Sequence, residues 1–205
     1  DRNNFKIYQV MSSSERDDST IVINYGRQIL TDIFNTNVGP VNKLRHCNGI
    51  NLATIFIIPQ IIDGKTHLAI VGNTDNNKNQ VIKKLPGGCS EKNETIQETI
   101  IRECKEETGF IPTEVTFIDY KKVPSNEKKE KDHDGDTHFK IILWVNKKTG
   151  SARTKNMVDK ENETFDFIPI KEIMDDPKFN IGHRHFVNDW VKFLSFLKQE
   201  HLIAW

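Results

Sequence analysis

The sequence predicts a mixed α/β (α+β) domain, and three observations carry that prediction. Short runs rich in β-branched and aromatic residues lie at 51–62, 81–85 and 164–170. Between and after them come two stretches of helical period, at 95–108 and 184–199. Turn signals punctuate the chain at Gly39-Pro40, Asp63-Gly64, Pro86-Gly87-Gly88 and Gly109. Strands and helices mixed in such irregular order suggest an α/β or α+β domain, without fixing its topology.

Taken in order, residues 1–19 are polar and read as a loose lead-in. Residues 20–34 place Val22, Tyr25, Ile29, Leu30 and Ile33 at helical spacing, which predicts an amphipathic helix. Residues 51–62 read as one buried strand. Asp63-Gly64 signals a hairpin, with 67–71 as its returning strand. A polar loop over 75–80 precedes a short strand at 81–85. Thr95 and Glu98, three residues apart, form a capping-box pattern that opens a helix, and Gly109 ends it. Strands are expected at 115–123 and 138–145, joined by a heavily charged solvated loop. A strand at 164–170 and a packed helix at 184–199 close the chain, the helix carrying Phe186, Val187, Trp190, Val191, Leu194 and Leu197.

Composition bounds the function. Of 205 residues, 29 are Lys or Arg and 29 are Asp or Glu, so the formal charge is zero. That balance predicts no extended nucleic-acid surface, though it leaves room for a local phosphate pocket. Cys47, Cys89 and Cys104 form no CxxC pair, which fits a reducing, cytoplasmic setting. The longest apolar run, 53–59, is too short for a bilayer, so no membrane partner is expected. The sequence opens on Asp1 rather than Met, which points to an N-terminal segment trimmed or left out.

The chemistry concentrates on the helix at 95–108. At about 100° per residue, Glu107 lies about 40° from Glu103 and Glu106 about 60° to its other side. Three carboxylates thus crowd one edge, beside an apolar face of Ile100, Ile101 and Cys104. Like charges at these spacings are mildly destabilising, and the helix dipole disfavours anions at this end. A divalent cation would reverse both penalties, and oxygen-only ligands suit Mg2+ or Mn2+.

The surrounding spacing is more specific. Gly88 is followed by five residues, Glu94, seven residues, Arg102-Glu103, Cys104, Lys105, Glu106-Glu107, Thr108, Gly109 and Phe110. This is similar to the full Nudix box, with every fixed position matched and Cys104 a modest filler at an apolar position. Leu85-Pro86-Gly87 also resembles the usual lead-in of that family. The resemblance is firm over 85–110 and loose over 51–172. It implies a Nudix-type α/β/α sandwich with a mixed central sheet, here with an extra N-terminal helix and a C-terminal helix. It divides the chain into an N-terminal extension at 1–48, partly helical, a Nudix domain at 49–176, and a C-terminal helix at 177–205 packed on it.

What the resemblance implies for function is Mg2+-dependent cleavage of a diphosphate bond in a nucleoside diphosphate linked to another moiety. Glu103, Glu106, Glu107 and the Gly87 carbonyl are the implied metal ligands. Glu106, Glu103 and Arg102 are the implied catalytic set, Arg102 pairing with Glu94 or Glu103 to hold a carboxylate in place. Gly88 and Glu94 are expected beside the substrate. Water attacks phosphorus, with no covalent intermediate, and a carboxylate takes its proton. That base is either a box glutamate or a loop acid among Glu127, Glu130, Asp132, Asp134 and Asp136. Pro124 stands fourteen residues after Phe110, one short of a proline in ADP-ribose-type members, a lean toward ADP-ribose-like or dinucleotide substrates. The alternative is a non-catalytic nucleotide sensor, since some domains of this family bind without turnover. The partner is a small nucleotide, and the terminal extensions are candidates for a homodimer interface or a substrate lid.

Overall fold

Alternation along β3 (Asn51–Ile57) and β8 (His138–Gly150) builds the central layer. Leu52 and Phe56 point to one side of the sheet, and Ile55 and Ile57 to the other. Along β8, Ile141, Leu143 and Val145 join the first side and Ile142 the second. Both faces are therefore apolar and both must be covered. The computed structural model describes residues 7–8, 22–25, 51–75, 80–91, 94–123, 138–154 and 163–205, and it shows how. Helix α1 (Ile96–Thr108) lays Ile100 and Cys104 on one face. Helices α2 (Ile170–Asp175) and α3 (Ile181–Phe196) cover the other with Ile170, Ile173, Phe186, Trp190 and Leu194. The result is the expected α/β/α sandwich. Each of those large buried side chains contributes about 2 kcal/mol.

The five-stranded sheet is mixed. Its order is β1 (Ile7–Tyr8), β2 (Val22–Tyr25), β7 (Phe110–Val123), β8, β3. The pairs β2–β7 and β8–β3 are parallel, and β1–β2 and β7–β8 antiparallel. A second sheet is antiparallel and centres on β5 (Lys65–Asp75). Strand β9 (Glu163–Pro169) follows it from His67 to Asn73. Strand β4 (Pro59–Ile62) pairs with its first part and β6 (Gln80–Lys84) with its last. Asp63 and Gly64 both have positive φ, 50° and 73°, the two-residue turn that suits the twist of a hairpin.

Three expectations need correction. The strand expected over 51–62 is two strands in two sheets, broken at Ile58. Pro59 has no N–H to continue the ladder, and the Ile58 carbonyl already accepts the Ala69 N–H at 3.1 Å. Val22–Tyr25 lies in a strand, not a helix. Val22 and Ile23 are both β-branched, and Val22–Tyr25 pairs in parallel with β7, Val22 opposite Glu114. The rest of the predicted helix lies outside the described residues. Strands β7 and β8 are longer than the apolar pattern suggested, because their polar ends pair from Phe110–Gly150 onward. Pro112 is accommodated there by a register shift before Glu114.

Thr95 caps α1 as the pattern required. Its hydroxyl accepts the Glu98 N–H at 3.1 Å, and Glu98 accepts the Thr95 N–H at 2.7 Å. Gly109 ends the helix in the left-handed conformation at φ 82°. Cys104 is fully buried, and burial pushes its thiol up to about 12. Trp190 is in the core, whereas Trp205 is an exposed tail residue.

Candidate active site

The turn Pro86-Gly87-Gly88 leaves β6 and runs along the outer edge of β3. Phe56 N–H donates to the Pro86 carbonyl and Thr54 N–H to the Gly88 carbonyl, each at 2.8 Å. Ser90 N–H donates to Leu52 O at 2.8 Å, which continues the pairing. This lining of a sheet edge fixes the turn against the central layer. Helix α1 then brings its acidic edge to the same turn. Gly87 N–H donates to the Glu107 carboxylate in a short hydrogen bond. A methyl group on Gly88 would meet the Glu103 carboxylate oxygen at 2.3 Å, so only glycine permits that approach.

Arg102 organises the acids. Its Nε and Nη2 donate to the two oxygens of Glu94, at 2.5 and 2.8 Å, a bidentate pair. Its Nη1 donates to Glu103 at 2.7 Å and to Glu106 at 3.2 Å. Nη2 also reaches the Cys89 carbonyl at 3.0 Å, which ties the fork back to the loop. Arg102 therefore pairs with both Glu94 and Glu103. Glu94 further accepts from Glu91 N–H at 2.8 Å and from the Thr99 hydroxyl at 2.9 Å. With these donors, the Arg102 bonds foremost, its carboxyl is held down at about 2. Expected beside the substrate, Glu94 is the anchor of Arg102.

The other carboxylates differ in setting. Glu103 and Glu107 are buried, at 8% and 7% exposure, whereas the Glu106 side chain is 61% exposed. Burial pushes the Glu103 carboxyl above its usual range, and the Arg102 bond opposes this. Glu107 lies 3.9 Å from the Lys84 ammonium. The dipole penalty foreseen for acids at this end is offset by Arg153. Its guanidinium donates to the carbonyls of Glu106 and Glu107 at 3.2 and 3.3 Å, and its N–H to Thr108 O at 2.8 Å.

Among the described residues, no three Asp, Glu, His or Cys side chains converge on one point. The helix edge gathers Glu103, Glu106 and Glu107, but Arg102 draws the first two together while Glu107 faces Gly87. A divalent cation nevertheless fits the donor set. All donors are oxygens, and exposed Glu106 can turn by a rotamer change that costs little. The loop acids Glu127, Glu130, Asp132, Asp134 and Asp136, and Pro124, lie outside the described residues.

Reading the motif missed Thr54, Lys84, Arg153 and His183. His183 had one visible signal: it stands three residues before Phe186 and four before Val187, on the apolar face of α3. Its Nδ1 accepts the Leu85 N–H at 3.0 Å.

Two outcomes test this geometry. Arg102→Leu leaves Glu94 and Glu103 without their shared cation and should lower stability by about 2 kcal/mol, since the site is partly open to water. Millimolar Mg2+ should restore part of that loss in a melting experiment, because a bound cation replaces the guanidinium charge. The second outcome concerns acid. Glu94 has a folded-state value near 2 against a usual 4.5, so it contributes stability above pH 4.5 that is lost as pH falls toward 2. Glu103, shifted upward, acts in the opposite sense and loses its contribution as pH rises. Urea midpoints of Glu94→Gln should therefore fall less than wild type between pH 4.5 and 2.

Comparison with known proteins agrees with the box. The chain matches the NUDIX domain over residues 52–190. It is 29% identical over 109 residues to an ADP-ribose pyrophosphatase of Methanocaldococcus jannaschii, 53% of this chain and 57% of that protein. It thus spans little more than half the length of that relative. In structure it resembles the NUDIX domain of Shewanella oneidensis NrtR, solved with ADP ribose (TM-score 0.53, 12% identity, 80% of this chain and 97% of that one). It also resembles the ORF135 protein of E. coli (TM-score 0.52, 15% identity, 78% and 98%). At such identities these two speak for the fold alone. A domain match across most of the chain, on the fold and loop–helix geometry described above, establishes that the chain belongs to the Nudix family.

Proposed function

We propose that the chain hydrolyses a diphosphate bond in a nucleoside diphosphate linked to another moiety, with Mg2+ as cofactor and ADP-ribose-like compounds as substrates. The observation that carries this reading is the Arg102 fork, which holds Glu94 on one side and Glu103 and Glu106 on the other, beside the Gly87–Gly88 turn. The similarity to the M. jannaschii ADP-ribose pyrophosphatase supports the ADP-ribose class. Glu103, Glu106, Glu107 and the Gly87 carbonyl would hold Mg2+, with Mn2+ able to substitute. When bound, that ion supplies charge neutralisation of the diphosphate and a more acidic water.

The chain's own residues supply the rest. Gly87 and Gly88 carry no side chain, so a diphosphate can lie against their backbone. Glu103, whose carboxyl burial raises above its usual range, is the box glutamate that we assign to take the proton from water. Arg102 keeps Glu103 oriented without occupying both its oxygens. The oxygen of water joins phosphorus, the bridging P–O bond breaks, and two phosphomonoesters leave. A cytoplasmic setting is supported by the sparse cysteine content, three in 205 residues with no CxxC pair.

The scattered carboxylates favour one second reading, a sensor that binds nucleotide without turnover. A panel of ADP-ribose, NADH, dinucleoside polyphosphates and nucleoside triphosphates, with Mg2+ or Mn2+, separates the two. The expected result is release of phosphomonoesters from ADP-ribose, with one oxygen from labelled water. Tight nucleotide binding by calorimetry without any cleavage would replace the hydrolase reading by the sensor.

A further inference from the structure

Leu85 is where the chain passes from one sheet to the other. Lys84, just before it, is the last residue of β6 paired with β5, opposite Val71. Pro86, just after it, already offers its carbonyl to Phe56 of β3. Between the two ladders the acceptor for the Leu85 N–H is a side chain, His183 Nδ1 at 3.0 Å. Leu85 itself is fully buried, so that acceptor stands in for water its N–H does not meet.

His183 is held firmly. Its own N–H donates to the Asn180 side chain at 3.2 Å, the N-cap of α3. The Asn180 N–H in turn donates to the Lys83 carbonyl at 2.9 Å. Lys83 also lies 3.4 Å from Asp176. The imidazole packs on Phe186 with ring centres 5.5 Å apart. Burial, with the charges of Lys140 and Lys84, holds His183 down at about 4. At neutral pH its Nδ1 therefore keeps the lone pair that the Leu85 bond requires, and the ring proton sits on Nε2.

Two residues beyond Leu85, Gly87 N–H donates to Glu107, and Gly88 abuts Glu103. We propose that His183 is a positioning residue: through the Leu85 N–H it sets where the Pro86-Gly87-Gly88 turn lies, and through that turn the Glu107 carboxylate. Helix α3 thereby takes part in the reaction without touching substrate. The inference rests on the hydrolase reading for its kinetic consequence, but its structural step does not.

The test compares His183→Leu, which removes the acceptor, with His183→Asn, whose Oδ1 can stand where Nδ1 stood. With ADP-ribose and Mg2+, the Leu variant should lose between about tenfold and a hundredfold in kcat with KM changed less than about twofold, as expected for misplaced catalytic groups. The Asn variant should recover most of the wild-type kcat. In parallel, 15N spectra of each protein follow the Gly87 and Gly88 amides without any substrate. They should move in the Leu variant and return in the Asn variant. Unmoved amides in His183→Leu, a loss confined to KM, or equal kcat losses in both variants would each overturn the proposal. If the amides behave as expected and wild type cleaves nothing, the hydrolase reading fails while the positioning role stands.

Discussion

Glu107→Gln, Glu103→Gln and Glu106→Gln are each expected to lower kcat about a hundredfold or more while leaving the fold in place. The expectation of intact structure comes from the hydrogen bonds. In Glu107→Gln the amide oxygen can still accept the Gly87 N–H that the carboxylate accepts now, and in Glu103→Gln it can still accept from Arg102. Glu106 is mostly exposed, so its replacement removes little from the fold. What all three lose is charge, and charge is what a cation and a developing proton transfer require. Melting temperatures close to wild type alongside lost turnover would separate this from general damage. A Glu107→Gln enzyme as fast as wild type would remove the metal assignment made from the helix edge. Under the sensor reading the same variants would instead alter nucleotide affinity, with no turnover to lose.

Much of this site was legible because its parts are local. Residues 95–108 carry their own start, stop and face: Thr95 with Glu98, Gly109, and carboxylates three and four apart. None of that needs knowledge of what lies across the domain. The same holds for Asp63-Gly64, whose positive φ values are a property of two residues. The errors arose where distant pairing decides. Val22–Tyr25 became a strand because β7 offered an edge about ninety residues away, and spacing along one segment cannot reveal an edge elsewhere. Residues 51–62 read as one strand because apolar content does not say which sheet a residue joins; the break falls where Pro59 removes a donor. His183 was overlooked for a similar reason. Its partner is a backbone N–H ninety-eight residues earlier, and the spacing to Phe186 and Val187 marks only an apolar helix face, not that partner. Sequence pattern also placed the three carboxylates on one edge without revealing that Arg102 and Gly87 divide them.

The two glycines of the turn should respond very differently to the same added methyl group. At Gly87, a Cβ would fall 1.9 Å from the Thr54 carbonyl oxygen and 2.9 Å from Ile55 Cα. Both are backbone atoms of β3, which is buried on both faces and paired to β8, so neither can yield. The φ of 146° adds a conformation that side chains other than glycine rarely adopt. Gly87→Ala must therefore pull the turn off β3 and break the bonds to Phe56 and Thr54, costing more than about 4 kcal/mol. At Gly88 the nearest atoms all belong to the Glu103 carboxylate, at 2.3 to 2.6 Å. That side chain can swing away, at the loss of its Arg102 bond. Gly88→Ala should lose only about 1 to 2 kcal/mol in urea unfolding, yet suffer a kcat loss comparable to Glu103→Gln, because the displaced group is the same. Similar stability for the two alanine variants would mean that the turn does not lie against β3 as described. Full activity in Gly88→Ala would mean that Glu103 need not occupy its present position for the reaction to proceed.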